Sequence, residues 1–346
     1  MKIRMIGAML ASLAVAAPMM SACSTQSSED SVDLMMDVGY LPKHAPFFSA
    51  VAQGFFEEEG LDVTLMPGSG SNNTVASVET GRVFAGFADF GVTVMNQGRG
   101  AQVRQVNLLQ AQSAYAAVAD KESGIDGWED LKGKTVATEG AGAMVSMWPY
   151  ALSQLGYKES DINVVHASSE SKIPGLLAHQ WDANLALSVS DAPALDALGI
   201  EPTVLNWADI GINLYGNGIV ASNETIEKEP EKLERFNRAV QKGFLWACEN
   251  PEESYQDFNS EVQGYDESTV VLALEQQCAL NWQSETDSIP FGKMTDEGVE
   301  VMIKIGHEYL GLDPSADLTP EEVYTNDFIT PIEQDTVIAL PSSDTK

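Results

Sequence analysis

His44 sits in the segment GYLPKHAPFFSAVAQGFFEEEG, between a short apolar run and a helical stretch. An imidazole there could contact a ligand, hold a metal or simply face water. Pro46 suits a first helical turn, so the ring is expected to point where the preceding strand ends; a surface loop position is the alternative. Metal binding is not expected, because His166, His179 and His307 stand at no ligand spacing from it and no cysteine pair completes a set. Tyr40, Phe47 and Trp148 could stack on a planar ring, and Asp89 and Asp191 could accept from amino groups. Each has a structural alternative: Phe47, Val51 and Phe55 share one helical stripe, and Asp191 could cap a helix before Ala192. The small-residue stretches GSGSNNT (68–74) and EGAGAMVS (139–146) could bring backbone amides onto a ligand's oxygen atoms, or be plain strand-to-helix turns. Neither has the lysine of a phosphate loop or the spacing of a dinucleotide fingerprint, so no nucleotide and no cofactor are expected. No Ser-His-Asp spacing stands out, and no catalytic residue is assigned.

These residues belong to a chain in which strand-like and helical runs alternate from Ser31 onward, the pattern of an α/β fold. In such sheets ligands bind beyond the carboxyl ends of the strands. That rule selects five loops: 40–47, 68–74, 89–93, 139–146 and 188–191. They carry Tyr40, His44, Phe47, Ser69, Gly70, Asn72, Asp89, Phe90, Thr93, Gly140, Ala141, Gly142, Ala143, Met144, Ser190 and Asp191, with Trp148 just beyond. The similar runs AYAAVAD (114–120) and LYGNGIVAS (214–222) bracket a middle α/β unit. The expected organisation is therefore two lobes: residues 32–115 with 219–346, and 116–218. Two strands hinge them, the ligand cleft lies between, and Tyr115 and Asn217 stand beside the hinge.

At the amino end, Lys2 and Arg4 precede an apolar stretch too short for a membrane span. Residues 1–22 are expected to be a signal peptide. Ser21-Ala22-Cys23 resembles a bacterial lipobox, which would leave Cys23 carrying lipid, and residues 23–31 read as a polar tether. The other cysteines, Cys248 and Cys278, could form a disulfide or stay as buried thiols. The formal charge is −32, and loss of Lys2 and Arg4 makes it more negative by two. A surface of that sign repels phosphate backbones, so nucleic acid is not an expected partner.

The phrases GFFEEEGLDVTL (54–65), ETGRVFAGFAD (79–89), WEDLKGKTVAT (128–138) and GNGIVASNETIEKEPEKLERFNRAV (216–240) are similar, in order, to those of ABC-importer solute-binding proteins. The group most resembled binds thiamine pyrimidine precursors, alkanesulfonates or nitrate. The resemblance implies the type 2 periplasmic-binding fold, a monomer, a permease partner and an extracytoplasmic site of action, with the protein held to the membrane by its lipid. It also implies a histidine near His44 in the pyrimidine binders. Scarce arginine, together with the acids and aromatics, favours a thiamine pyrimidine precursor or similar small ring; sulfonate, nitrate and aromatic carboxylate are the alternatives. A cytosolic relative that synthesises the pyrimidine uses a cysteine-rich segment, which this chain lacks, so an enzyme is the remoter reading, beside a ligand sensor.

Overall fold

Two sheets carry the fold, and each is built from short apolar strands separated by helices. The computed structural model describes residues 30–140, 143–212, 214–281 and 290–331. The signal segment, Cys23, Ala141 and Gly142 lie outside the described residues, as does the side chain of Ala143. The strands are β1 (Asp30–Met35), β2 (Leu61–Met66), β3 (Ala85–Asp89), β4 (Val103–Leu108), β5 (Tyr115–Asp120), β6 (Thr135–Thr138), β7 (Asn163–His166), β8 (Ala183–Leu187), β9 (Pro202–Asn206) and β10 (Asn217–Ser222). Helices of eight residues or more are numbered α1 (Ala45–Ala52), α2 (Ser71–Glu79), α3 (Phe90–Gln97), α4 (Ala143–Leu155), α5 (Ser169–Leu177), α6 (Ser188–Asp196), α7 (Pro230–Glu249), α8 (Pro251–Glu261), α9 (Glu267–Leu280) and α10 (Asp296–Tyr309).

The sheet orders are β2-β1-β3-β10-β4 and β7-β6-β8-β5-β9. In each, one strand runs against its neighbours: β10 pairs antiparallel with β3 and β4, and β5 with β8 and β9. The remaining pairings, β1 with β2 and β3 and β6 with β7 and β8, are parallel. Strands flanked by helices on both faces are mostly apolar, and β3 and β10 are buried at every position, with polar Asp89, Asn217 and Ser222 only at their ends. β1 begins at Asp30, where Asp30 and Ser31 pair with Leu61 and Asp62, so the sheet takes up the last two residues expected in the tether.

The chain crosses from β4 to β5 and returns before β10, and the two crossings are tied to each other. Gly216 N donates to Gln110 O at 2.9 Å, Gln110 N to Asn217 O at 2.9 Å and Ser113 N to Leu214 O at 2.7 Å. Pairing places the strap ends: Tyr115 lies opposite Leu187 in the second sheet, and Asn217 and Gly218 lie opposite Asp89 and Ala88 in the first. Residues 115 and 217–218 thus sit on the other side of the lobe edges read from sequence.

Helix α7 turns Leu233, Phe236, Val240 and Phe244 onto the first sheet, a spacing that keeps one face apolar. Phe47 is fully buried there, 5.1 Å from the Phe87 ring centroid and 5.0 Å from that of Phe244. Cys248 at the end of α7 is disulfide-bonded to Cys278 in α9, with Cα atoms 5.8 Å apart. A continuous apolar cluster then joins the lobes, with Phe90 and Val94 of α3 packed among Met144, Met147 and Trp148 of α4 and Val299 and Met302 of α10. Helix α9 also packs on α6 of the second lobe.

Candidate functional site

Between the lobes lies a cleft of ≈ 540 Å³. Its lining comes from the ends of β1, β6 and β8, the start of β10, the turns into α2 and α5, and Tyr265 and Thr269 at the start of α9. The turn into α2 needs two glycines. A side chain on Gly68 would sit 1.9 Å from the Met36 carbonyl oxygen, and Gly70 has φ 114°.

On the first-lobe wall, Asp37 is the centre of a buried network. Its Oδ1 accepts from Val38 N at 3.0 Å and His44 Nε2 at 2.8 Å, and its Oδ2 accepts from Lys43 Nζ at 2.5 Å and Asn217 Nδ2 at 2.8 Å. Leu41 N donates to His44 Nδ1 at 3.0 Å, so the neutral ring carries its proton on Nε2 and donates it to Asp37. Burial lowers the His44 pKa, against the pull of Asp37. Burial alone would raise Asp37, but the Lys43 charge and the His44 hydrogen bond hold it well below the usual carboxylate range. Four donors fill the lone-pair directions of this carboxylate. Lys43 is 1% exposed, its ammonium stands 5.7 Å from the Phe87 ring centroid, and it lines the cleft.

The second-lobe wall inverts this arrangement, with one cation shared by two anions. Lys172 Nζ lies 3.0 Å from Glu139 Oε1 and 3.2 Å from Asp191 Oδ1, and Asn184 donates to Asp191 Oδ2 at 2.9 Å. Trp181 Nε1 in turn donates to Asn184 Oδ1 at 2.7 Å. Burial would lower the Lys172 pKa, yet Asp191 and Glu139 keep it above its ordinary value. Burial raises Asp191 against the attraction of Lys172. Glu170 also faces the cleft, and after burial its charge is the second cause that raises the Tyr265 phenol.

Of the residues singled out from sequence, the structure brings Ser69, Gly70, Gly140, Met144, Ser190, Asp191 and Asn217 to the cleft lining. The others go elsewhere. His44 lies behind the wall and orients Asp37 rather than reaching the cavity. Tyr40 donates to Leu65 O at 2.7 Å and packs on Phe48, and Phe47 is core. Asn72 accepts from Asn96 Nδ2 at 2.9 Å. Asp89 caps α3 through Val92 N at 2.9 Å and accepts from the Tyr115 hydroxyl, which spans the two lobes. Thr93 donates to Asp89 O at 2.9 Å, Phe90 packs on Tyr215, and Trp148 and Tyr115 both pack on Trp207. Sequence reasoning missed Asp37, Lys43, Glu139, Glu170, Lys172 and Tyr265 as cleft residues. For Lys43 and Glu139 a signal existed, since both stand in the selected loops 40–47 and 139–146; Asp37 falls before them, within the run expected as the first strand.

A pair of mixed sheets of like order, joined by two straps around a polar cleft, defines the two-lobed architecture of periplasmic binding proteins. The alkanesulfonate-binding protein SsuA from Xanthomonas axonopodis pv. citri, solved with MOPS, has this fold: TM-score 0.67 at 15% identity, covering 85% of this chain and 98% of that one. This chain belongs to the NMT1/THI5-like family, whose profile matches residues 41–254. It is 26% identical over 309 residues to the riboflavin-binding protein RibY of Chloroflexus aurantiacus, covering 84% of each chain. With the formylaminopyrimidine-binding protein of Halalkalibacterium halodurans it shares 23% over 303 residues, 84% of this chain and 91% of that one. The family also holds enzymes: the 4-amino-5-hydroxymethyl-2-methylpyrimidine phosphate synthase of Schizosaccharomyces pombe is 21% identical over 228 residues, 63% of this chain and 65% of that one.

Proposed function

We propose that this chain is a lipid-anchored, extracytoplasmic binding protein. It captures a small aromatic ring compound bearing amino groups and delivers it, as a monomer, to an ABC-importer permease. A thiamine pyrimidine precursor is the leading ligand. One observation carries this reading: among the described residues the cleft's cations, Lys43 and Lys172, are both ion-paired, while Glu139, Glu170 and Asp191 face the cavity and no arginine lines it. Carboxylates accept from amino groups, and unneutralised acids repel sulfonate or nitrate. Tyr265, Met144, Ile173 and Leu187 supply the ring's apolar contacts. Closure of the lobes excludes water and strengthens each polar contact. The relative that binds formylaminopyrimidine supports this ligand class.

Binding without catalysis is the activity assigned. Cys248 and Cys278 are joined to each other, and His44 is spent on Asp37 behind the wall, so among the described residues neither residue type lines the cleft. A second reading, a flavin as ligand, is favoured by the cavity's ≈ 540 Å³, more than one pyrimidine ring fills, and by the resemblance to RibY.

A thermal-shift screen followed by titration calorimetry tests the proposal, using aminopyrimidines, riboflavin, alkanesulfonates and nitrate. Stabilisation by aminopyrimidines is expected. Riboflavin alone would select the second reading, and stabilisation by sulfonate or nitrate alone would overturn both.

A further inference from the structure

The two straps between the lobes are held at two places. Asn217 Nδ2 donates to Asp37 Oδ2 at 2.8 Å, which makes a strap residue part of the first-lobe wall. The end of α9 takes the second hold. Asn217 N donates to Gln110 Oε1 at 2.9 Å, and Gln110 Nε2 donates to Gln277 Oε1 at 2.6 Å. A backbone N–H can only donate, so it fixes the Gln110 oxygen toward Asn217 and the Gln110 amino group toward Gln277. Both glutamines are fully buried, so no bulk water replaces a lost bond. Gln112 N also donates to Leu280 O at 3.2 Å, which satisfies one of the carbonyls left open at the end of α9. Beside Gln277, Cys278 ties that end to α7 through Cys248. At its start α9 brings Tyr265 and Thr269 to the cleft, and it packs on α6 of the second lobe. One helix therefore grips the straps and forms a surface on which the second lobe closes.

We infer that Gln277 is a positioning residue for lobe closure: through Gln110 it fastens the first-lobe halves of both straps to α9, which confines bending to Ser113 and Ala114 on one strap and Leu214 on the other. The neighbouring strap residues are held: the Tyr215 hydroxyl accepts from Thr295 N at 3.2 Å, and Gly216 N donates to Gln110 O at 2.9 Å. A short bend leaves the open state few conformations. Freeing Gln110 lengthens the flexible stretch, and the added chain entropy goes to the open state alone. The closed state does not gain it, because packing of Phe90 and Val94 among Met147 and Trp148, and of α9 on α6, still holds the lobes together. Neither Gln110 nor Gln277 lines the cleft, so the pair acts on closure without touching a ligand. Of the proposed function this requires only that the lobes close, whatever the ligand.

The test reads the distance between the lobes by double electron–electron resonance, with spin labels on Val51→Cys and Leu198→Cys, exposed positions of the first and second lobes. A Cys23→Ser background leaves no other thiol to label, since Cys248 and Cys278 are joined. Gln277→Met, which keeps the side chain's length and removes its acceptor, should raise the ratio of long to short distances about tenfold. Amide exchange at Gln112 and Asn217 should quicken by about the same factor. Ser254→Ala removes an equally buried hydrogen bond, from Ser49 Oγ at 2.8 Å, in the same lobe but away from the straps, and should leave both readouts native. Should Gln277→Met fail to fold, Cys248→Ser/Cys278→Ser releases the same helix end and should lengthen the distances in the same direction. Native distances in the folded Gln277→Met chain, or in the cysteine pair variant where it replaces it, overturn the inference. Equal lengthening in Ser254→Ala overturns it too, because the effect would then be a general loosening of the first lobe. Neither readout uses a ligand, so that failure leaves the proposed ligand class standing, and a failed aminopyrimidine screen leaves this inference standing.

Discussion

The carboxylate of Asp37 at the end of β1 takes four donors and holds one lysine, whereas β6, which occupies the same place in the second sheet, ends at Glu139, one of two acids that share one lysine. The strand orders correspond position for position, down to the single antiparallel strand fourth in each sheet. Shared topology thus sets where the polar groups stand but not their sign. The lobes also differ in support. The first carries α7, α8 and α9 and a disulfide; the second carries α4, α5 and α6 and no cysteine.

The sharpest way to break the comparison is to remove one acid from each wall. Asp37→Ala strands the buried Lys43 ammonium, and an unpaired buried charge costs about 3–5 kcal/mol. Asp191→Ala leaves Lys172 with Glu139, so the loss should be nearer that of one buried hydrogen-bonded partner, about 1–3 kcal/mol. Urea unfolding at neutral pH reads both. Equal losses would mean that the two networks are equally saturated, contrary to their geometry.

Next in size is the disulfide. Its partners are 30 residues apart, and a closed loop of that length stabilises by about 3–4 kcal/mol in the chain-entropy account. Cys248→Ser/Cys278→Ser should lower the unfolding midpoint accordingly. Amide exchange should then rise in α8 and α9 before it rises in β6 and β8, because the staple belongs to the first lobe alone.

Much of this architecture is legible in the sequence, because alternating apolar runs and helical stripes leave few alternatives. The start of β2 at Leu61 after Gly60, and the resemblance of the 114–120 and 214–222 runs, locate the straps to within three residues. The walls were harder. Which loops reach the cleft follows from strand direction, and Ser69, Gly140 and Ser190 stand there. Which side chains reach it does not. Phe47 and Trp148 carry large apolar areas that two cores compete for, and both were drawn inward. Lys43 and Lys172 look like solvated charges along the chain. Only the fold brings Asp37 to one and Glu139 with Asp191 to the other.

A third, smaller test concerns Asp89, which joins the lobes through Tyr115. Burial, only partly offset by the Tyr115 and Val92 hydrogen bonds, raises its pKa from 3.8 to about 6. A carboxyl that binds its proton more tightly when folded contributes stability that is full below about pH 4 and is lost as pH rises through about 6. Asp37, held low by its donors, has the opposite slope and loses its contribution on acidification. Asn at position 89 keeps an oxygen for the Val92 cap and cannot ionise. The stability of the native chain relative to Asp89→Asn should therefore fall by about 1–3 kcal/mol between pH 4 and pH 7. Denaturant titrations at the two pH values measure the difference, and a constant offset would show that Asp89 does not titrate in the fold.

The smallest effect falls where the two sheets use the same local device. Each antiparallel strand ends in a side-chain cap: Ser222 at the end of β10 accepts from Thr225 N at 3.0 Å, and Asp120 at the end of β5 accepts from Glu122 N at 2.8 Å. Ser222 is buried and opens the helical turn 223–228, on which the long α7 follows, so its hydroxyl has little water to replace the bond it loses. Ser222→Ala should cost about 1 kcal/mol. The Asp120 bond is exposed and opens only a three-residue turn, where water can take over the amide, so Asp120→Ala should cost no more than about 0.5 kcal/mol. If burial rather than lobe identity sets these costs, Ser222→Thr, which keeps the oxygen, should recover most of the loss. A Ser222→Thr variant as weak as Ser222→Ala would instead trace the cost to packing at the end of β10 and remove the cap from the comparison.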